Sequence, residues 1–347
     1  MSSPRRTFLK QLGVGAAIAA MPHRTSTPPD QTSIIKPKRI KAGDTIGLIN
    51  PAGPTFEADD ILVVKESLAA LGLRSKVGKH ALDRYGYLAG SDAARAEDVN
   101  AMFEDDGVDA IITIRGGWGC NRILHLLDYE MIRKHPKIIC GYSDITSLLV
   151  ALYARTGLVT FHGPVGTSTW NKFSLDYFKR VLFDGEQVTM VNPKGAGDNL
   201  AQTKDRIQAI TKGKARGRLV GGNLSVLTAM IGSRYLPDWS NHILFLEETG
   251  ENIYRVDRMV TQLKLAGVLD KLAGFVFGKC TSCEPAEGYA SLTLEEVFID
   301  HIKPLGIPAL YGAMIGHIEN KFTVPVGIEA EIDAESGTIR LLESAVL

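Results

Sequence analysis

From about Asp44 onward the chain alternates short apolar runs with stretches whose apolar residues recur at helical spacing. Thr45-Ile46-Gly47-Leu48-Ile49-Asn50, Ala110–Ile114, Lys137–Gly141 and Val159–His162 are rich in β-branched and aliphatic side chains, which predicts buried strands. Between them, Ala58–Leu71 places Ile61, Val64, Leu68 and Leu71 on one helical face. Ser91–Phe103 opens on two good capping residues, Ser91 and Asp92, and predicts a second helix, with Ile145–Tyr153 a third. Strands alternating with helices imply a parallel sheet covered on both faces. Residues 166–215 break the rhythm: Trp170, Phe173 and Tyr177 sit in a polar stretch followed by Gly- and Lys-rich sequence, which reads as an interdomain linker. A second unit follows, with a helix over Leu224–Ile231, a strand over His242–Glu247 and a helix over Ile253–Ala266. Alternation around Ala334-Glu335-Ser336-Gly337, within Glu329–Leu342, predicts a β-hairpin. The expected fold is α/β: a parallel-sheet domain at 34–165, a linker at 166–215, and a C-terminal α/β domain with hairpin elements at 216–347.

Composition excludes several classes without changing this picture. With 45% hydrophobic residues the chain is too apolar to be disordered. Its 39 basic and 39 acidic residues cancel, so nothing suggests a nucleic-acid partner. Four cysteines are too few for a disulfide scaffold. No apolar run reaches the ~18–20 residues of a membrane span. The N-terminus does alter the charge balance. Arg5-Arg6-Thr7-Phe8-Leu9-Lys10 precedes a mild apolar stretch, Leu12–Met21, with small residues at Ala17-Ile18-Ala19. This is the layout of a secretory signal, and the paired arginines resemble a twin-arginine export signal. Pro22–Thr32 is polar and Pro-rich, as in a flexible linker. Residues 1–33 are therefore expected to be signal and linker, and the mature protein periplasmic or otherwise exported. Cleavage after Ala19 removes three basic residues and no acid, leaving 36 basic against 39 acidic residues and a net charge of −3.

Four places carry candidate chemistry. In Gly141-Tyr142-Ser143-Asp144 an apolar strand ends and a helix follows at once. Ser143 is either a nucleophile pushed out on a sharp turn or the N-cap of that helix. Arg115-Gly116-Gly117-Trp118-Gly119 frees the backbone either to expose N–H groups to an anion or simply to turn. Glu247-Glu248 closes an apolar strand, where ligand sites lie in open α/β sheets. His317 follows Gly316 in the last third of the chain, and His162 ends a strand beside Gly163-Pro164. Cys280 and Cys283 have redox-motif spacing in a loop context, consistent with a local disulfide or with two thiols. The Asp, Glu, Cys and His residues are not grouped at ligand spacing, so neither a metal nor another cofactor is expected.

Taken in order, these segments resemble the LD-carboxypeptidase family, which comprises murein tetrapeptide carboxypeptidases and the related microcin C immunity proteins. The resemblance rests on Ile49-Asn50-Pro51-Ala52-Gly53, Tyr87-Leu88-Ala89-Gly90, Arg115–Gly119, Gly141–Asp144, Phe161-His162-Gly163-Pro164, Gly221-Gly222-Asn223-Leu224, Leu246-Glu247-Glu248 and Gly316-His317, and spans about Ile40 to Leu342. It implies a Ser143–His317–Glu247 triad formed at the interface of the two domains. Glu247 is preferred to Glu248 because the family's acid directly follows the apolar run. It also implies an oxyanion site from the N–H groups of Asp144 and the Gly116–Gly117 turn. Hydrolysis would cut the bond between an L-centre (diaminopimelate or lysine) and terminal D-alanine in a murein tetrapeptide, in a homodimeric enzyme. Arg115 is a candidate for binding the substrate's carboxylate. Known relatives are cytosolic recyclers, so an export signal is a departure. Two alternatives remain: an immunity-type amide hydrolase, with Trp170 as an adenine platform, and a periplasmic binding protein without a nucleophile.

Overall fold

The computed structural model describes residues 33–287 and 290–347. The export signal and most of the linker expected at the N-terminus lie outside the described residues. From Ser33 onward the described residues form one compact unit. Its first half runs β1 (Thr45–Ile49), α1 (Ala58–Ala70), β2 (Arg74–Val77), α2 (Asp92–Glu104), β3 (Ala110–Thr113), α3 (Tyr129–Lys134), β4 (Ile138–Gly141), α4 (Thr146–Thr156) and β5 (Thr160–His162). The five strands are parallel, and β3 and β4 are buried along their whole length, as strands covered on both faces must be. Ser91 caps α2 as its sequence predicts, its side chain accepting from the Ala94 N–H.

The second half contains α5 (Lys172–Leu182), β6 (Thr189–Val191), β7 (Gln208–Thr211), β8 (Lys214–Asn223), α6 (Leu224–Ala229), β9 (His242–Thr249), α7 (Ile253–Leu265), β10 (Gly274–Thr281), α8 (Leu294–His301), β11 (Ala309–Tyr311), β12 (Val324–Val326), β13 (Glu329–Asp333) and β14 (Thr338–Leu341). Eight of its strands form a mixed sheet in the order β6-β14-β13-β8-β9-β10-β11-β7, with β8 to β11 parallel and β13–β14 the expected hairpin. The segment read as an interdomain linker is structured. Phe173, Tyr177, Phe178, Val181 and Leu182 give α5 an apolar face that packs on the core, and β6 and β7 become the two edges of the second sheet. β12 crosses back and pairs antiparallel with β5, completing the first sheet as β12-β5-β4-β3-β1-β2. Its Pro325 suits an edge, where a missing N–H costs no ladder bond.

The two sheets are fastened together through α4 and β8. A β-carbon on Gly222 would lie 2.4 Å from Thr146 Oγ1, so only glycine allows α4 this close. Thr146 Oγ1 in turn accepts the Asn223 N–H at 2.9 Å. The loops at the C-terminal ends of β1, β3 and β4 gather at the point where strand order reverses around β1, which is where open α/β sheets place ligands.

Candidate active site

β4 ends at Gly141, and the chain turns immediately into a single 3₁₀ turn, Ser143–Ile145, before α4. Ser143 sits at φ +65°, a left-handed conformation that non-glycine residues adopt only when the surroundings impose it. Its side chain caps nothing. Tyr142 and Ile145 occupy the two N-cap positions, and neither offers a side-chain bond. The N-cap alternative is thereby excluded. Instead Ser143 Oγ lies 3.0 Å from His317 Nε2, and His317 Nδ1 lies 2.8 Å from Glu247 Oε2. Ser143 comes from β4's exit, His317 from the loop after β11, and Glu247 from near the C-terminal end of β9.

Glu247 is fully buried, and its second oxygen, Oε1, has no hydrogen-bond partner among the described residues. A carboxylate only accepts, so it fixes the imidazole proton on Nδ1 and leaves the Nε2 lone pair facing Ser143. Glu248 is differently employed. It accepts from Asn223 Nδ2, from the Ser225 N–H and hydroxyl, and from the Thr249 N–H, holding the start of α6 against β9. Burial raises its carboxyl above the usual range.

The glycine-rich loop borders the serine directly. A β-carbon on Gly116 would sit 2.9 Å from Ser143 Cβ and 3.2 Å from its Oγ, and the Gly116 carbonyl accepts the Gly53 N–H at 3.2 Å. Gly117 lies at φ +133°, against Gly53. Asp144 ties this loop to the nucleophile turn through its side chain, which accepts the Cys120 N–H at 2.7 Å. Burial pushes the Asp144 carboxyl up to about 6. Its own backbone N–H is at the second position of the 3₁₀ turn, where helices have no internal acceptor to offer. Arg95, fully buried on α2, braces the same loop by donating to the Pro51 and Gly119 carbonyls at 2.5 and 2.8 Å. Arg115 is turned to the rim, where it donates to the Pro54 carbonyl at 3.0 Å beside Phe56. Gly116→Ala has permissible backbone torsions but no room for the methyl. It is expected to push the Ser143 hydroxyl off its partner and lower kcat/KM by about 100-fold, with an unchanged melting midpoint.

The loop carrying His317 is held from three sides. Thr281 Oγ1 donates to the His317 carbonyl at 3.3 Å, Phe322 closes the loop back onto Met314, and buried Ser174 of α5 bonds both the Glu319 carbonyl and the Lys321 N–H. Cys280 and Cys283 are disulfide-bonded beside it, which decides between the two states open from sequence. His162 is buried between Tyr142 and Phe245, and burial pulls it down to about 4, so it is neutral. Trp170 donates its indole N–H to Gly166 and packs edge-on against Phe178. Tyr142 and Lys321, which line the same space, were not singled out from sequence. The available signal was a lysine four residues beyond His317, at the lip of the apolar run Phe322–Ile328.

A strained serine, an imidazole and a buried carboxylate in one hydrogen-bonded line define a hydrolase built across two sheets. Residues 46–163 match the LD-carboxypeptidase N-terminal domain and residues 216–332 match the LD-carboxypeptidase C-terminal domain. The chain is 39% identical over 310 residues to a probable murein peptide carboxypeptidase of Bacillus subtilis, covering 87% of this chain and 93% of that one. It is also similar to the solved muramoyltetrapeptide carboxypeptidase of Oxalobacter formigenes, at 28% identity and a TM-score of 0.74, covering 86% and 97% of the two chains. An MccF-like protein of Bacillus anthracis superposes with a TM-score of 0.78 at 29% identity, covering 89% and 99%. The chain belongs to the LD-carboxypeptidase family.

Proposed function

We propose that the protein is a serine carboxypeptidase that removes terminal D-alanine from murein tetrapeptides through an acyl-enzyme. The observation that carries this reading is the Ser143–His317–Glu247 hydrogen-bonded line. His317 Nε2 takes the hydroxyl proton as Ser143 Oγ attacks the carbonyl joining the L-centre to D-alanine. Glu247 holds the ring's tautomer and offsets the charge of the imidazolium. Negative charge on the carbonyl oxygen is met by the Asp144 N–H and the Gly116–Gly117 backbone, donors of a kind worth about 3–4 kcal/mol each. His317 then protonates the departing amine, D-alanine leaves, and a water activated by the same imidazole frees the shortened peptide. The names of the relatives from Bacillus subtilis and Oxalobacter formigenes favour a murein peptide over a nucleotide–peptide substrate. So does the use of the Trp170 indole in packing rather than in an open platform. The test is to incubate the protein with purified murein tetrapeptide and assay free D-alanine. Release by the wild type and none by Ser143→Ala is expected, and release by neither would refute the assignment.

We further propose that the enzyme acts outside the cytoplasm. The Arg5-Arg6 leader supports this, as does the Cys280–Cys283 disulfide, a bond that persists in oxidising compartments. Expressed from its full sequence, the protein should appear in the periplasmic fraction shortened at the N-terminus. Replacing Arg5 and Arg6 by lysines should hold it in the cytoplasm, and equal export of both forms would contradict the idea.

A further inference from the structure

Two lysines are buried among the described residues, and they are treated oppositely. Lys137 delivers its ammonium to the Met102 and Asp105 carbonyls, at 3.0 and 2.5 Å, which is how a structural buried lysine is satisfied. Lys321 is 5% exposed, so its stem is enclosed, but its Nζ is not among the sealed side-chain atoms and bonds no acceptor among the described residues. The ammonium stands 4.6 Å from the centroid of the Tyr142 ring. The same ring is 5.0 Å from the His317 imidazole, so Tyr142, the residue before the nucleophile, touches both. Burial lowers the ammonium to about 8 against the opposing pull of Glu247 and Glu319, which leaves it charged at neutral pH. A charged donor on an enclosed stem, with no protein acceptor of its own and a path to solvent, is free to meet an acceptor from outside.

The chemistry of the reaction says which acceptor. His317 must protonate the departing amine, so the leaving residue lies on the imidazole's side of Ser143. In a carboxypeptidase that residue carries a free carboxylate. Lys321 shares a loop with His317, and both side chains meet the ring of Tyr142. Arg115 precedes Gly116, the glycine packed against Ser143, and its guanidinium is already bonded to the Pro54 carbonyl. We propose that Lys321 is the cation that receives the substrate's C-terminal carboxylate, in a subsite walled by Tyr142 on the leaving-group side of His317. This rests on the carboxypeptidase reading and makes the enzyme's restriction to chain ends a property of one side chain. α5 contributes at one remove, because Ser174 bonds the Lys321 backbone N–H and fixes where the side chain starts.

The test compares a murein tetrapeptide ending in a free carboxylate with the same peptide ending in a carboxamide, using wild type, Lys321→Met, Lys321→Gln and Ser143→Ala. A fluorophosphonate, which acylates an activated serine and carries no carboxylate, reports on the triad alone. Wild type should favour the free acid by about 100-fold in kcat/KM, the scale of losing one partner of a buried charge pair. Lys321→Met should lose that preference mainly through KM. Its activity on the amide and its labelling rate should stay within about threefold of wild type. Removing an ammonium that bonds no protein acceptor should leave the melting midpoint unchanged or raised. Should the methionine variant not fold, Lys321→Gln is read the same way. An intact acid preference in the variants overturns the proposal. So does an equal fall in labelling, which would mean that Lys321 acts only on the charge of Glu247 and His317. If wild type cleaves neither peptide while Ser143 still labels, the carboxypeptidase reading itself has failed, and this inference with it.

Discussion

Replacing Ser143 with alanine is expected to lower kcat for D-alanine release by about 10⁶-fold, the loss seen when the nucleophile of a Ser–His–acid hydrolase is removed. KM should change little, because the one bond Oγ makes among the described residues is to His317 Nε2. Nor should stability fall. The strain at φ +65° belongs to the backbone, and alanine bears it as serine does. What remains is a site with its backbone donors in place and no attacking atom. A variant that binds the tetrapeptide with near-normal affinity, releases no D-alanine and does not react with a fluorophosphonate would meet all three expectations. Residual release above about 1% of wild type would point to direct attack by water and remove the acyl-enzyme from the mechanism.

Glu247→Gln should cost about 10⁴-fold in kcat, again with modest change in KM. Glutamine has two orientations at this position and both fail. With its amide group toward Nδ1, it holds the imidazole proton on Nε2, where it blocks proton transfer from Ser143. With its oxygen toward Nδ1, it buries the amide where Oε1 now has no partner, at a cost of about 1–3 kcal/mol. In either orientation the carboxylate charge that stabilises the imidazolium is gone. Steady-state kinetics on the tetrapeptide test this. A loss below tenfold would show that the carboxylate does not support His317. Glu248 is one residue away and cannot substitute, since four donors already hold it in β9.

The elements legible in the sequence are those whose burial is uniform. β3 and β4 are apolar at nearly every position because helices cover both faces, and such runs stand out from their surroundings. β8 was hidden by the opposite property. Its Lys214, Arg216 and Arg218 alternate with Ala215, Gly217 and Leu219, and its three glycines, of which Gly222 admits α4, weaken the strand signature. α5 resembles linker in one dimension because its aromatic residues are separated by Ser174, Asp176 and Lys179, although Phe173, Tyr177, Phe178 and Val181 lie on one face. Ser143, Glu247 and His317 emerged through the family resemblance, each at the end of a recognisable strand or beside a glycine. Lys321 gave no such signal. A lysine looks solvated in one dimension, and only the packing of Tyr142, Ser174 and the loop from Met314 to Phe322 shows that it is enclosed.

β12 carries a consequence for the order of events during synthesis. It is the edge strand of the first sheet, yet its neighbours in the chain, β11 and β13, belong to the second. The first sheet therefore stays unfinished, with the side of β5 open, until residue 326 has left the ribosome. His317 and Lys321 arrive in the same late stretch. A chain lacking that stretch carries Ser143 with no base to activate it, so the triad is complete only once the late strands close.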